Sequence, residues 1–486
     1  MAVSDWKPDR HSPIPLHKQI EEHLKEKIMR GEWTVGTKIP SQRALAKAFG
    51  VNRSTVVTAL DELAAQGLLK GNSGGGTRVV NHTWNLLAST PPPDWGTYVK
   101  SGMHQPNLPT IQEINQAEYD PHIIRLGTGE LAPDLLPAEH MQAIFQHLPK
   151  RTISLGYEQP KGDLFLREQL VKHLREIGID TSPSSILIVS GGLQALQLIS
   201  IGLLHRGSTV LLEKPSYLYS VRVFQSAGMK LLGVPLDKEG IQPAIVSRYK
   251  RQYHGALLYT IPSFHNPTGT LMTDLRRREL LKICTQERLP VIEDDVYRDL
   301  WLDAPPPPPL KACDQNGLVL YMGSMSKTLS PGLRIGWVVG PEPVIDRLAD
   351  IKMQTDYGSS SLSQWAVAEW LASGLYAQHI QYVRKQLKLR REIALQALET
   401  HFREIAQWSK PQGGFYIWLK INVPVSIRDL FERALAEGIL LNPGHLYDRQ
   451  STQYLRLSYA YAPLQDLEDS LARLADLIKS SRQDRI

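Results

Sequence analysis

From residue 14 to residue 80 the apolar positions keep helical time. Leu16, Ile20, Leu24 and Ile28 recur every four residues and lay one apolar stripe along a first helix. Ser41, after Pro40, reads as the N-cap of a second helix, Gln42 to Phe49, which Gly50 ends. Asn52 reads as the cap of a third helix from Arg53 to Ala65, stopped by Gly67. Leu68-Leu69, the turn Gly74-Gly75-Gly76 and Thr77-Arg78-Val79-Val80 then predict a short hairpin.

The pattern lapses over 82–117, where Pro91-Pro92-Pro93, Pro106 and Pro109 stand among Ser, Thr, Asn and Gln. Without periodicity this stretch reads as a flexible linker between domains at 13–81 and 118–486. From about Glu118, short apolar runs alternate with helical stretches. ILIV (186–189), TVLL (209–212), GALLYT (255–260), PVIE (290–293), LVLYM (318–322) and IGWVVG (335–340) predict buried strands of a mainly parallel α/β sheet. FYIWL (415–419) and YLRLSYA (454–460), mixed with helices, predict a smaller C-terminal α/β subdomain. Pro305 to Pro309 reads as a stiff surface insertion.

Composition narrows the class. At roughly 100–200 residues per domain, 486 residues allow two to four domains, and 42% hydrophobic with 21% charged content is that of a globular chain. The net charge of +6 is mild. Its placement is more telling: Gly36 to Leu60 holds Lys38, Arg43, Lys47 and Arg53 and no acidic residue, a basic face suited to phosphates. Two cysteines, Cys284 and Cys313, make neither a disulfide framework nor a zinc site, and the histidines show no HxxxH or HExxH spacing, so no metal is expected. MAVSDWKPDR carries no apolar core of a signal peptide, and no run approaches the ~20 apolar residues of a membrane span. A cytoplasmic protein, on the nucleoid when bound to DNA, is expected, with no membrane partner.

Two short helices with a tight turn at Gly50-Val51-Asn52 and a glycine-tipped hairpin are the parts of a winged helix-turn-helix. The third helix would enter the major groove with its N-terminal end. There Arg53 offers a cation for phosphate or guanine, and Ser54 and Thr55 offer short hydroxyls. The bland reading is a three-helix protein–protein module with a solvated charged face. The whole string PLHKQIEEHLKEKIMRGEWTVGTKIPSQRALAKAFGVNRSTVVTALDELAAQGLLKGNSGGGTRV, however, resembles the GntR family of bacterial repressors. Ile39 stands where that family usually has Leu, and Asn52 where it has Ser. The resemblance implies that Arg43, Arg53, Thr55 and the wing glycine Gly76 contact double-stranded operator DNA.

In the larger domain the strongest local signal is Ser324-Met325-Ser326-Lys327-Thr328-Leu329-Ser330-Pro331-Gly332-Leu333-Arg334, following a strand. A lysine buried at a strand end is costly without a partner or a task, and one task is a Schiff base with an aldehyde. The neighbouring hydroxyls and Arg334 could neutralise a phosphate. Asp294, at the end of PVIED, could pair with a protonated pyridine nitrogen. Asn266 and Tyr297 could bond a ring oxygen, Tyr217 could stack on a ring, Gly191-Gly192 could form an anion site at a helix start, and Arg456 could clamp a carboxylate. Each alone has a plain alternative: a strand-end cap, a turn residue before Pro267, a tight turn, a surface cation.

In this order and spacing, GYEQPKGDLFLREQL, SGGLQAL, EKPSY, PSFHNPTG, EDDVY, SMSKTLSPGLRIGW and LRLSYA resemble the fold-type I aminotransferases, in the branch with kynurenine and 2-aminoadipate aminotransferases. The resemblance implies pyridoxal 5′-phosphate as cofactor, Lys327 as the aldimine and catalytic lysine, and Asp294 as partner of the pyridine nitrogen. Tyr297 and Asn266 would hold the 3′-oxygen and Tyr217 would stack. Gly191, Gly192, Ser324, Ser326 and Arg334 would hold the phosphate. Tyr157 would reach the phosphate of the neighbouring subunit's cofactor, and Arg456 would bind the ligand carboxylate. The D-x-x-Y spacing selects Asp294 over Asp295.

A GntR-type reader joined to such a domain resembles the MocR subfamily of regulators. That implies a head-to-tail homodimer in which an amine, an amino acid or the cofactor itself is sensed through Lys327, with little or no turnover. Two alternatives stay open at this point: a working aminotransferase that also binds DNA, and a regulator whose large domain only dimerises.

Overall fold

The computed structural model describes residues 6–72, 76–80, 95–102, 107–147 and 156–483. Two compact units divide after His104. In the first, α1 (Leu16–Met29) buries Ile20, Leu24 and Ile28. They pack with Leu45 and Phe49 of α2 (Gln42–Phe49) and Val56, Ala59, Leu60 and Leu63 of α3 (Arg53–Ala65). At roughly 1.5–3 kcal/mol per buried aliphatic side chain, this small core is what holds the three helices together. The Ser41 hydroxyl accepts from the Ala44 amide at 3.2 Å, and Gly50, at φ 67°, closes α2 in the left-handed region. Asn52 occupies the cap position of α3 with extended backbone, but its side chain makes no capping bond. β1 (Leu69–Asn72) and β2 (Gly76–Val79) pair antiparallel as the wing. Gly74 and Gly75, expected in its tip, lie outside the described residues.

Part of the stretch expected as a linker is helical: α4 (Trp95–Ser101) and α5 (Pro109–Ala117). Pro109 starts α5, where a missing N–H costs nothing. Ile114 is buried in the second unit's core, and Glu113 pairs with Arg428 at 2.9 Å. Nine residues with two apolar anchors are too few to show a period in the sequence.

β3 (Ile124–Arg125) opens the strand set of the second unit and pairs parallel with Ile439–Leu440. The main sheet contains β4 (Ile186–Val189), β5 (Thr209–Lys214), β6 (Lys230–Asp237), β7 (Gly240–Ile241), β8 (Gly255–Thr260), β9 (Val291–Asp294), β10 (Val319–Ser324) and β11 (Gly336–Val339). Their order is β4-β11-β10-β9-β8-β5-β6-β7. β10, β9, β8, β5 and β6 run parallel, while β11 is antiparallel to both its neighbours. β4, β9, β10 and β11 are buried along their whole length, since helices cover both faces. β6 escaped the sequence reading because Gly233 and Pro235 interrupt its apolar run, which lies near the sheet edge and is only partly buried. The C-terminal ends of the parallel strands and of β4 gather on one side, where open α/β sheets bind ligands.

The smaller subdomain is a four-stranded antiparallel sheet of Ala406–Trp408, Tyr416–Ile421, Tyr454–Ser458 and Asn442–Pro443. It holds the segment after β3: the Leu126 amide donates to the Leu440 carbonyl at 3.0 Å, and the Ser458 amide to the Leu126 carbonyl at 2.6 Å.

The proline run is not a plain surface insertion. Pro306 and Pro309 are buried, and Arg298 donates to the Pro307 carbonyl at 2.7 Å. Glu293, on β9, accepts from the Leu310 and Lys311 amides at 2.8 Å each. Proline has no N–H to extend a ladder, and the carbonyls of Pro306 and Pro307 accept from the buried Arg298 instead. Among the described residues no helix is long and apolar enough to cross a membrane, and no group of three or more His, Cys, Asp or Glu could hold a metal.

Candidate functional site

A cavity of about 230 Å3 opens at the C-terminal ends of the strands in the second unit. Lys327, Asp294, Tyr297, Asn266, Tyr217, Gly192, Ser324, Ser326, Arg334 and Arg456 all line it. Asp294 ends β9 and Ser324 ends β10, so strand register delivers both. Lys327 sits in the turn after β10, and its Nζ donates to the Gly129 carbonyl at 2.6 Å. Asp295 faces elsewhere, pairing with Arg298 at 3.1 Å.

The phosphate end is built from backbone. Gly191, at φ 87°, is the N-cap of the helix Gly192–Leu203. A Cβ there would come within 2.6 Å of the Arg334 guanidinium, so that position takes glycine alone. Arg334, itself left-handed at φ 54°, donates to the Ser190 carbonyl at 2.8 Å. A helix start, an arginine and the Ser326 hydroxyl thus converge. The Ser324 hydroxyl is spent on the Ile335 carbonyl at 3.1 Å, so it shapes the turn.

At the ring end, Tyr259 donates to Asp294 Oδ2 at 2.6 Å. The Asn266 amide donates to the Tyr297 hydroxyl at 3.4 Å, and Tyr297 and Tyr416 share a bond at 3.1 Å. Arg456 donates to Asn266 Oδ1 at 3.0 Å and to the Gly127 carbonyl at 2.6 Å. Its guanidinium lies 4.3 Å from the Tyr416 ring centre and 4.8 Å from that of Tyr447, which fixes the plane of its fork.

Three buried polar atoms of lining residues lack a partner: Asp294 Oδ1, Ser326 Oγ and Arg456 Nε. Such orphans are expensive unless a ligand supplies the missing bonds. An acceptor waiting for a ring N–H, a donor waiting at the anion end and a cation beyond them fit pyridoxal phosphate with an attached carboxylate.

Burial pushes the Asp294 carboxyl up to about 6, against the opposing bonds from Tyr259 and the Val296 amide. The folded, cofactor-free chain therefore holds this proton more tightly than the unfolded chain. That contribution to stability is complete below the ordinary value of 3.8 and is lost as pH rises through about 6. The melting temperature of wild type minus that of Asp294→Asn should fall across this window and level off above it. A flat difference would mean that Asp294 is not desolvated.

Tyr157 is not brought into the cavity. It is 82% exposed, with its ring 4.8 Å from that of Tyr357. Sequence reasoning missed Glu118, Thr128, Gly129, Glu130 and Tyr416, which also line the cavity, and Tyr259, which braces Asp294. Tyr259 ends an apolar run and carried a faint signal. Residues 128–130 carried none, since only their pairing with the C-terminal subdomain places them.

In the first unit Arg43, Arg53, Gly76, Lys38 and Gln42 line one open groove. Arg53 is exposed at the first turn of α3 and donates to Gln42 Oε1 at 2.8 Å. Gly76, at φ 83°, lets the wing approach Lys38, whose Cε would lie 2.6 Å from a Cβ there. Ser54 and Thr55 share that first turn but do not line the groove.

Comparison with known proteins agrees with both halves. Residues 16–79 match the family of bacterial regulatory proteins, gntR family, and residues 121–474 match aminotransferase class I and II. The chain is 57% identical over 476 residues to an uncharacterized HTH-type transcriptional regulator, YisV of Bacillus subtilis, covering 98% of each. It is 33% identical over 445 residues to the HTH-type transcriptional regulator NorG of Staphylococcus aureus, covering 91% of this chain and 99% of the other. Kynurenine aminotransferase of Pyrococcus horikoshii, solved with PMP, superposes with a TM-score of 0.75 at 30% identity, over 80% of this chain and 99% of that one. The 2-aminoadipate aminotransferase LysN of Thermus thermophilus, complexed with N-(5′-phosphopyridoxyl)-L-leucine, gives 0.74 at 29%, over 81% and 100%.

Fold and site together define a transcriptional regulator with a winged helix-turn-helix and a fold-type I aminotransferase-like domain. The chain belongs to the GntR family of regulators, in its MocR subfamily.

Proposed function

We propose that this regulator binds pyridoxal 5′-phosphate at Lys327 and senses an amine or amino acid there, changing how a homodimer holds operator DNA. The observation that carries the reading is the convergence of Lys327, Asp294 and Arg456 on one cavity with orphaned polar atoms. Pyridoxal phosphate, when bound, supplies an aldehyde that condenses with amines. Lys327 would be the resident amine, positioned by Gly129. Asp294 would hold the ring nitrogen protonated, Tyr297 and Asn266 the ring oxygen, and Tyr217 the ring face. Gly191, Gly192, Ser326 and Arg334 would hold the phosphate. Tyr157 would act across a head-to-tail dimer. A regulator of this kind works in the cytoplasm, on the chromosome.

A ligand's amine would compete with Lys327, and its carboxylate would compete for Arg456. Those two side chains grip the carbonyls of Gly129 and Gly127. With the Schiff base formed, Lys327 would leave the Gly129 carbonyl; a ligand amine that displaced it would return it there, while the ligand's carboxylate would draw Arg456 from the Gly127 carbonyl, so the holds on one short segment would change. That segment would be the element a ligand biases, provided the ligand binds one of its arrangements better.

The test is operator affinity of the cofactor-loaded protein with and without candidate amines, alongside keto-acid production from the same amines plus 2-oxoglutarate. A shift in operator affinity without sustained keto acid is expected. Steady turnover with unchanged operator affinity would favour the aminotransferase reading.

A further inference from the structure

The cavity holds more acid than its cofactor chemistry uses. Its charged lining is Lys327, Arg334 and Arg456 against Asp294, Glu118 and Glu130. On the reading above, Arg334 answers a phosphate, Asp294 a ring nitrogen and Arg456 a carboxylate. Glu118 and Glu130 have no cofactor group to answer, and among the described residues neither forms an ion pair. Both are only partly buried, so each can face a ligand.

Their position relative to the reacting centre follows from four consecutive residues. The Gly127 carbonyl accepts from Arg456 at 2.6 Å. The Thr128 hydroxyl donates to Glu118 Oε1 at 2.8 Å. The Gly129 carbonyl accepts from Lys327 at 2.6 Å. Glu130 comes next. A Cβ at Gly129 would strike the Tyr416 hydroxyl at 2.1 Å, and one at Gly127 would strike Asn442 at 2.3 Å, so the backbone runs flush against the cavity wall. A ligand joined at the Lys327 position with its carboxylate on Arg456 has its remaining substituent beside this segment and its two carboxylates. The orphaned Arg456 Nε marks the same end of the cavity as the one that awaits a ligand.

We infer that Glu118 and Glu130 select an effector with a second positive charge: an amino acid whose side chain ends in an ammonium group. The α-carboxylate meets Arg456 and the side-chain ammonium meets the two glutamates. An acidic side chain would place like charges together, and a neutral one would leave both carboxylates unanswered. A diamine without a carboxylate would leave Arg456 unanswered. The covalent exchange balances: the ligand's α-nitrogen bonds the cofactor's aldehyde carbon, Lys327 leaves that carbon as a free amine, and the proton lost by the ligand nitrogen passes to the Lys327 nitrogen.

This inference rests on the proposed cofactor reading, and one experiment separates their failures. The full-length protein loaded with pyridoxal phosphate is titrated, by the absorbance of the Lys327 Schiff base, with lysine, ornithine, norleucine, 2-aminoadipate and cadaverine. Norleucine is lysine without its ammonium. Half-saturation with lysine or ornithine should come at least about tenfold below norleucine, as one added ion pair of about 1.4 kcal/mol would give. The acid and the diamine should be weaker still. In a Glu118→Gln, Glu130→Gln double variant the lysine-to-norleucine ratio should collapse toward one. Norleucine or 2-aminoadipate matching the diamino acids overturns the inference, as does a ratio that survives in the variant or silence from every amino acid while the band is present. No band in the loaded wild type overturns the cofactor reading instead.

Discussion

Lys327→Ala is expected to abolish the yellow band of the cofactor-loaded protein and, with it, any spectral or operator response to amines. The loss should be complete, since Lys327 is the one lysine among the residues lining the cavity. The fold should survive. The side chain is only partly buried, and the hydrogen bond it gives up to the Gly129 carbonyl is worth about 0.5–1.5 kcal/mol net. Absorbance after cofactor addition and dialysis, with circular dichroism on the same samples, makes the check. A variant that keeps the wild-type band would place the Schiff base elsewhere and remove the basis of the sensing model. Operator binding by the variant separates two roles of the cofactor. Normal affinity without a ligand response means that the cofactor only reports, while lost affinity means that it also holds the reader-competent state.

Arg53→Ala should remove operator binding and leave the cofactor band intact. Arg53 stands at the first turn of α3, exposed, in a groove with Arg43, Lys38 and the wing glycine Gly76. A lost arginine–base contact costs about 1–3 kcal/mol, and the proposed dimer would lose it twice, so affinity should fall by about 2–6 kcal/mol in total. If Arg53 instead meets a phosphate, the salt dependence of the residual binding becomes shallower by about one counterion for each reader. Filter binding or fluorescence anisotropy across a salt series distinguishes these two outcomes. Among the described residues the side chain hydrogen-bonds Gln42 alone, so the melting temperature should hardly move. Normal binding by this variant would mean that α3 does not read DNA through its first turn.

Much of this was legible in the residues because local physics dominates there. The stripe of Ile20, Leu24 and Ile28, the Ser41 cap and Gly50 mark helices whose determinants lie within a few positions of each other. The strands β4, β9, β10 and β11 are buried on both faces, and burial writes a continuous apolar run. Where burial is partial the run breaks up, and so β6 was missed. The nine-residue helix α5 was read as linker for a related reason: its stability comes from Ile114 in the core and from Arg428, more than 300 positions away in the chain. The proline run misled differently. Its stiffness was plain, but its burial depends on Arg298 and Glu293, whose pairing with carbonyls and amides leaves no periodic trace.

The sequence by itself determined the two-part organisation, the order of elements around the lysine and the identities of the groups that could hold a cofactor. Those groups sit at strand ends and turn positions, and such positions have local signatures. Only the tertiary structure decided what Lys327 faces. Gly127, Thr128, Gly129 and Glu130 are brought to it by pairing with strands more than 300 residues further along the chain, and no short-range pattern encodes that pairing. Of the two carboxylates that give the cavity its selectivity in our reading, Glu130 arrives with that segment and Glu118, at the end of α5, meets it through the Thr128 hydroxyl. Backbone hydrogen bonding across the whole domain, and not local propensity, placed them there.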